Sequence, residues 1–161
     1  MVGLSGTAQA ALVSLGDGTV KDTNTNLIWL ENWNVNGLAD WGTQKIWADN
    51  LNSAGSSDWA LPSIDEYDVL FAAYGNLSLV PEFTNVQSGY YWSGTESTAG
   101  SLAWRFNPGT GPLGTIPEYG ELYAVAVRPG DVTAAVPEPQ TLALALLALS
   151  ATAVARRRRS R

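Results

Sequence analysis

Asp and Glu are the residues of this sequence whose side chains most readily offer acid–base chemistry. The 161 residues include no Cys and no His. This composition excludes thiol nucleophiles, Ser-His-Asp triads and zinc sites built from Cys or His. Asp65, Glu66 and Asp68 form the densest acidic group, yet side chains at these spacings do not converge on one point of a helix. Acidic residues in the first turns of a helix interact favourably with its dipole, so we predict a capping role.

A second acidic group lies in a turn-rich segment near the N-terminus. Asp17, Asp22 and Asn24 offer oxygen ligands suited to Ca²⁺, but their spacing differs from that of an EF-hand loop. Turn formation is the simpler explanation for such residues beside glycine. We therefore predict no catalytic residues, no metal site and no cofactor.

Tryptophan is the residue type here that best suits a sugar ligand, because aromatic rings offer large flat apolar faces. Trp33 and Trp41 border polar loops, so we predict that they are exposed and can contact a ligand. The other tryptophans that we considered lie in apolar motifs and are predicted to pack in the core: Trp29, Trp59, Trp92 and Trp104.

Charge is divided unevenly along the chain. Five of the nine basic residues lie between Arg156 and Arg161, and the part before them has four basic and fifteen acidic residues, a net charge of −11. A domain this acidic disfavours nucleic acid and sulfated polysaccharide as partners. Arg105 and Arg128 are each expected to pair with a carboxylate.

The elements that must position these residues are two helices and several short strands. Asp40 is the predicted N-cap of a helix over 41–52, with Trp41, Ile46, Trp47 and Leu51 on its inner face. Ser63 and Glu66 predict a capping box for a helix ending near Tyr74, before Gly75. Predicted strands cover residues 11–15, 19–22, 27–30, 90–93, 101–106 and 122–128, and residues 107–114 read as a loop. The fold class is α+β, a single domain with antiparallel strands.

Several motifs occur in an order that resembles a known family. They are Gly16-Asp17-Gly18-Thr19-Val20, Leu27-Ile28-Trp29, Asp58-Trp59-Ala60-Leu61-Pro62-Ser63, Tyr91-Trp92-Ser93-Gly94-Thr95 and Val127-Arg128-Pro129. Together they resemble the Lcl C-terminal domain family, named for a collagen-like bacterial adhesin, over roughly residues 15–130. The resemblance implies a fold related to C-type lectins and, in the adhesin, binding of glycosaminoglycan-like polysaccharide. The chain departs from the family at Ala60, where Arg is usual, and in its acidity. We assign residues 11–133 to this domain.

The C-terminal segment, residues 134–161, has the features of a membrane signal. Residues 141–155 carry no charge and predict a short transmembrane helix, and the arginines after it mark the cytoplasmic side. Pro137, Glu138 and Pro139 precede that helix as an extended tripeptide. The segment resembles the PEP-CTERM sorting signal of Gram-negative bacteria. This resemblance implies cleavage near Pro-Glu-Pro by an exosortase, a membrane transpeptidase, in bacteria that make extracellular polysaccharide and biofilm.

These predictions combine into one functional hypothesis. Residues 1–10 end in the small-residue pattern Ala8-Gln9-Ala10 and are expected to be the truncated end of a signal peptide. The protein is expected to be exported, anchored in the inner membrane before processing, and then displayed at the cell surface or in an extracellular matrix. Its domain is predicted to be non-catalytic and to bind carbohydrate or act in adhesion. A carboxylate-dependent glycoside hydrolase and a purely structural surface protein are the alternatives.

Overall fold

A computed structural model describes residues 11–131 of the chain, except for the side chain of Leu113. The described strands are β1 (Leu12–Ser14), β2 (Thr19–Asp22), β3 (Leu27–Leu30), β4 (Tyr91–Glu96), β5 (Leu102–Asn107), β6 (Gly111–Pro117) and β7 (Val127–Pro129). The helices are α1 (Trp41–Asp49) and α2 (Ile64–Tyr74), followed by a 3-10 turn at Leu77–Leu79. The predicted α+β class, with two helices and antiparallel strands, is confirmed. Kinship with the C-type lectin fold stays a prediction.

The strands form two antiparallel sheets. One has the order β1-β2-β3-β7 and the other the order β4-β5-β6. The last strand, β7, pairs with β3, and Val127 exchanges two backbone hydrogen bonds of 2.9 Å with Ala60 on its other side. Strands from both ends of the described chain therefore lie in one sheet, with β7 held between β3 and the segment before α2.

The predicted loop at 107–114 is wrong, because its second half belongs to strand β6. The turn is confined to its first residues, where the Asn107 side chain accepts hydrogen bonds from the backbone N–H groups of Gly109 and Thr110. Pro112 and Pro117 then lie in an edge strand, where a missing backbone donor is tolerated.

The predicted final strand at 122–128 is also only partly present. The strand begins at Val127, whereas Leu122 and Tyr123 make single bridges to Ala39 and Tyr91. The apolar run at 122–127 therefore indicated a largely buried segment correctly but overstated the length of the strand.

Aromatic side chains fill the core. Trp29 stacks on Trp33 with ring centroids 6.1 Å apart, and Tyr67 from α2 stacks on Phe106 from β5 at 4.3 Å. Tyr91 meets the Trp33 ring edge-on at 5.3 Å. Edge and offset contacts of this kind add to the hydrophobic gain from burying such large side chains. The core thus joins the two sheets through α2.

Helix α1 begins as predicted, but the face that it buries differs from the predicted one. The Asp40 side chain caps it by accepting a hydrogen bond from Thr43 N at 2.9 Å, and the helix ends at Asp49 instead of residue 52. Its buried residues are Gln44 and Ala48, whereas Ile46 is 65% exposed, so placing Ile46 on the inner face was wrong. The other predicted inner residues, Trp41, Trp47 and Leu51, are partly buried against the core.

Gln44 explains why hydrophobic pattern alone misplaced that face. Its carboxamide Nε2 donates to the backbone oxygens of Gly37 at 2.8 Å and Leu122 at 3.0 Å. A polar side chain can be fully buried when its hydrogen bonds are satisfied, and this one ties α1 to two loops.

The predicted start of α2 is confirmed in detail. Ser63 and Glu66 form the capping box, and Gly75 follows the last helical residue with a positive φ of 70°. Within residues 11–131, no helix has the length and apolar character needed to cross a membrane. The predicted transmembrane segment at 141–155, the Pro137-Glu138-Pro139 tripeptide and the predicted signal remnant at 1–10 lie outside the described residues.

Candidate functional site

The two tryptophans predicted to be exposed differ in their surroundings. Trp33 is fully buried, so the prediction of an exposed ring is wrong there. Its ring packs among the aromatic side chains of the core, and Trp33 N donates to Thr84 O at 2.9 Å. Trp41 is only partly buried, and its indole N–H donates to Ser93 O at 2.8 Å. A ligand role for Trp41 stays a prediction, and Trp33 offers no face to solvent.

The tryptophans predicted to lie in the core also divide. Trp29, Trp59 and Trp92 are buried, which confirms their assignment. Trp104 on β5 is partly exposed and is not among the side chains that pack against the core cluster in the described chain. An apolar motif on the central strand of a small sheet therefore does not guarantee burial.

An exposed tyrosine stands beside a concave, acidic surface that the sequence did not predict. We call this concavity the Tyr119 basin; it has a volume of about 410 Å³ and is lined by Asp40, Gly42, Glu118, Tyr119 and Glu121. The Tyr119 side chain is 84% exposed. The turn that carries it is joined to the start of α1 by a 3.0 Å hydrogen bond from Trp41 N to Glu118 O.

The polar groups of the Tyr119 basin are mainly acceptors. Hydrogen bonds from Thr43 lower the pKa of Asp40, first from its backbone N–H and then from its hydroxyl, so this carboxylate is ionised at neutral pH. Within residues 11–131, Glu118 Oε1 is buried without a hydrogen-bond partner. The carboxylates that line the basin can accept hydrogen bonds from hydroxyl or amine donors, and Tyr119 offers an aromatic face beside them. The signal in the sequence was an aromatic residue in a Glu-Tyr-Gly turn, where nothing requires burial.

A second, smaller concavity lies where the family motifs meet. We call it the motif cleft; it has a volume of about 210 Å³ and is lined by Lys45, Ala60, Leu61, Ser63, Glu66, Gly94 and Thr95. Most of these residues also have structural tasks. Thr95 Oγ1 accepts a hydrogen bond from Ile64 N at 3.0 Å, and Gly94 N donates to Pro62 O at 2.7 Å. The motifs at 58–66 and 91–95 thus bind one segment of backbone to another.

The acidic residues near the N-terminus act in turns, as predicted. Asp17 Oδ1 accepts from Thr19 N at 3.1 Å, and Asp22 Oδ1 accepts from Asn24 N at 2.9 Å. Asp22 also accepts from the Tyr74 hydroxyl at 2.8 Å. Burial and this hydrogen bond raise the pKa of Tyr74. Among residues 11–131, no three Asp or Glu side chains are arranged to hold a metal ion.

The two domain arginines contact aromatic rings. The Arg105 guanidinium lies 4.5 Å from the centre of the Tyr90 ring, and the Arg128 guanidinium lies 5.6 Å from that of Trp59. Arg105 has no ion pair within the described part of the chain, so the predicted carboxylate pairing is wrong for it. Both arginines therefore gain stabilisation from cation–π contacts.

Comparison with known proteins agrees with this architecture. The model of the Lcl C-terminal domain family matches residues 18–128, and the model of the PEP-CTERM protein-sorting motif matches residues 135–159. No curated protein matches the chain. The first match covers more than half of the sequence and includes both helices, both concavities and all of the strands except β1 and the last residue of β7. The chain belongs to the Lcl C-terminal domain family, and a PEP-CTERM sorting motif follows its domain.

Proposed function

We propose that this chain is an exosortase-sorted, exported protein whose domain binds carbohydrate without catalysis at the cell surface or in an extracellular matrix. The sorting motif supports export, and anchoring in the membrane before processing. The exposed ring of Tyr119 beside three carboxylates is the observation that carries the carbohydrate proposal. A link to biofilm polysaccharide requires both the sorting and the carbohydrate binding that we propose.

The sorting step rests on the order of features in residues 134–161. The uncharged segment 141–155 would be about 22 Å long if helical, which is short for a span but adequate for a transient anchor. The arginines that follow would stay on the cytoplasmic side, leaving Pro137, Glu138 and Pro139 outside. An exosortase would act on that tripeptide.

The test of sorting compares intact mass and location in the native host. In the unaltered protein we expect a chain that ends near residues 137–139 and has left the membrane. A variant with Pro137→Ala and Pro139→Ala should keep its arginine tail and stay in the membrane fraction. If both proteins keep the tail, the segment is an ordinary anchor and the sorting proposal fails.

The carbohydrate proposal rests on the chemistry of the Tyr119 basin. A pyranose ring can stack its apolar face on an aromatic ring while its hydroxyls donate to carboxylates. Residues 11–131 contain four basic and fourteen acidic side chains, a net charge of −10. This charge repels uronate and sulfate groups, so a neutral or amino-bearing polysaccharide is the favoured ligand.

The test of carbohydrate binding is retention on the host's own matrix polysaccharide. Tyr119→Ala should weaken retention at least tenfold, because it removes the stacking face and leaves the fold untouched. Leu79→Ala is the matched control, since Leu79 is 79% exposed and lines neither concavity. Equal retention of both variants and the unaltered chain would show that the basin does not bind; no retention of the unaltered chain would favour a structural role.

The hydrolase alternative has one specific observation in its favour. Glu118 and Glu121 line the same basin as Asp40, and pairs of carboxylates about 5–9.5 Å apart carry out glycoside hydrolysis. Hydrolysis is distinguished from binding by measuring the release of reducing ends from the matrix polysaccharide. We expect none from the unaltered chain; release that disappears in Glu121→Gln would replace the binding proposal with catalysis.

A further inference from the structure

Three polar groups that line the motif cleft can form further hydrogen bonds: the Glu66 carboxylate, the Thr95 hydroxyl and the Lys45 ammonium. The Ser63–Glu66 capping box uses only one oxygen of the Glu66 carboxylate, because Oε2 accepts from Ser63 N at 2.7 Å and from Ser63 Oγ at 3.0 Å. Glu66 Oε1 has no hydrogen-bond partner within residues 11–131. This oxygen is held in place and free to accept.

Thr95 supplies a matching donor. Its Oγ1 accepts from Ile64 N at 3.0 Å, which orients the hydroxyl, while its hydrogen has no acceptor among the described residues. The Thr95 backbone is fixed as well, because its N–H donates to Ser93 Oγ at 2.9 Å. Donor and acceptor are thus oriented before any ligand arrives, which lowers the entropy cost of binding.

Lys45 brings a cation to the same cleft from α1. Its only ion pair in the described chain is with Asp49, at 4.0 Å, and both side chains are about half exposed. A contact of that length and exposure is weak, so the Lys45 ammonium can turn to a ligand. The cleft therefore presents an ammonium, a hydroxyl and a carboxylate oxygen around one small space.

The wall of the cleft is open because residue 60 is alanine. The backbone of Ala60 is fixed by its two hydrogen bonds to Val127, while its side chain is exposed and lines the cleft. A larger side chain at this position would fill part of the space without disturbing those bonds. Residue 60 thus controls the size of the cleft.

We propose that the motif cleft is a subsite for one neutral sugar ring, oriented by Lys45, Glu66 and Thr95 and admitted by Ala60. Adjacent ring hydroxyls each donate and accept, which matches one fixed acceptor, one fixed donor and one mobile cation. The volume of about 210 Å³ lies below the range of about 300–1,000 Å³ typical of larger ligands, so the cleft holds one ring, not a length of chain. Glu66 and the net negative charge of the domain disfavour an anionic sugar. This subsite deepens the proposed carbohydrate function, on which it rests, and it is separate from the Tyr119 basin.

The test uses saturation-transfer NMR on the full chain in detergent micelles. The probes are methyl glycosides of glucose, galactose, mannose and N-acetylglucosamine, each alone, with methyl glucuronide as the anionic comparison. We expect at least one neutral glycoside to bind at millimolar concentration. Ala60→Leu, which narrows the cleft, and Lys45→Met, which removes the charge at equal length, should each weaken that binding at least tenfold. Ala73→Leu makes the same change at an exposed position of α2 that lines neither concavity, and should bind normally.

The outcomes separate this subsite from the broader proposal. Binding of a neutral glycoside that survives Ala60→Leu unchanged overturns the subsite. Binding of none of the neutral glycosides, or preference for the glucuronide, overturns it as well. In either case, polysaccharide retention that is lost in Tyr119→Ala would leave the proposed function standing.

Discussion

At the scale of single residues, the family motifs of this chain mainly serve to hold backbone segments in close contact. Gly94 shows this best, because a Cβ atom there would lie 2.8 Å from the carbonyl oxygen of Leu61. The same residue donates its N–H to Pro62 O at 2.7 Å. The approach of β4 to the segment before α2 is so close that only a residue without a side chain fits.

Gly94→Ala is therefore expected to destabilise the domain by about 1–3 kcal/mol, as overpacking against backbone typically does. The measurement is urea unfolding followed by tryptophan fluorescence. Gly114→Ala is the matched control, since a Cβ at Gly114 meets nothing within 4 Å, and it should change stability by less than about 0.5 kcal/mol. Equal effects of the two substitutions would mean that the contact with Leu61 relaxes freely.

Residue burial was the part of the structure that sequence predicted least well. Trp33 is fully buried where exposure was predicted, and Trp104 is only partly buried where core packing was predicted. The polarity of neighbouring residues says little about which way a loop or strand turns its side chain. Tyr119 was missed for the same reason. The concavity forms only when the start of α1 meets the turn after β6, and the two segments are far apart in the sequence.

At the scale of elements, the capping residues correctly predicted where each helix begins, whereas the lengths of the strands were harder to predict. The side chains of Asp40 and Ser63 satisfy backbone donors within three residues of themselves, so the sequence contains the whole interaction. Strand β6 depends instead on a partner, β5, and its glycines and prolines resemble a loop until that partner is known. Local bonds are predictable from sequence, and bonds between distant segments are much less so.

The α1 cap should make stability depend on pH in a defined direction. Hydrogen bonds from the backbone N–H and hydroxyl of Thr43 lower the pKa of Asp40 in the folded state, so the folded carboxylate binds its proton less readily. Its contribution is present in full above the unfolded pKa and is lost as pH falls through the folded pKa. Asp40→Asn keeps a capping side chain without the titrating group, so we expect its stability to fall less steeply below about pH 4 than that of the unaltered chain.

Urea midpoints measured across that acidic range would test the cap. Asp49→Asn serves as the control, because Asp49 lies at the end of the same helix and accepts no capping bond. Parallel pH profiles for the unaltered chain and Asp40→Asn would contradict the role of the Asp40 charge.

At the scale of the whole molecule, the domain is complete before the sorting motif begins. Its last strand, β7, lies between β3 and Ala60, and Gly130 N donates to Asn26 O at 2.7 Å just beyond it. The core cluster ends at Val127, and the sorting motif starts at residue 135. A processing enzyme that acts near Pro137 would therefore leave every strand and helix described within residues 11–131 in place.

This arrangement predicts a sharp boundary for truncation. A chain of residues 11–131 should melt cooperatively, at a temperature within a few degrees of that of the full chain in detergent. A chain of residues 11–126 lacks all of β7, which leaves the backbone of β3 and Ala60 without partners in a buried sheet. It should lose the near-UV circular dichroism signal of packed tryptophans and show no cooperative melting. If the shorter chain melts like the longer one, β7 is not needed to close the sheet. If neither chain melts cooperatively, the domain requires the C-terminal segment for its fold. A domain separated from that segment by processing could then not be the working form of the protein.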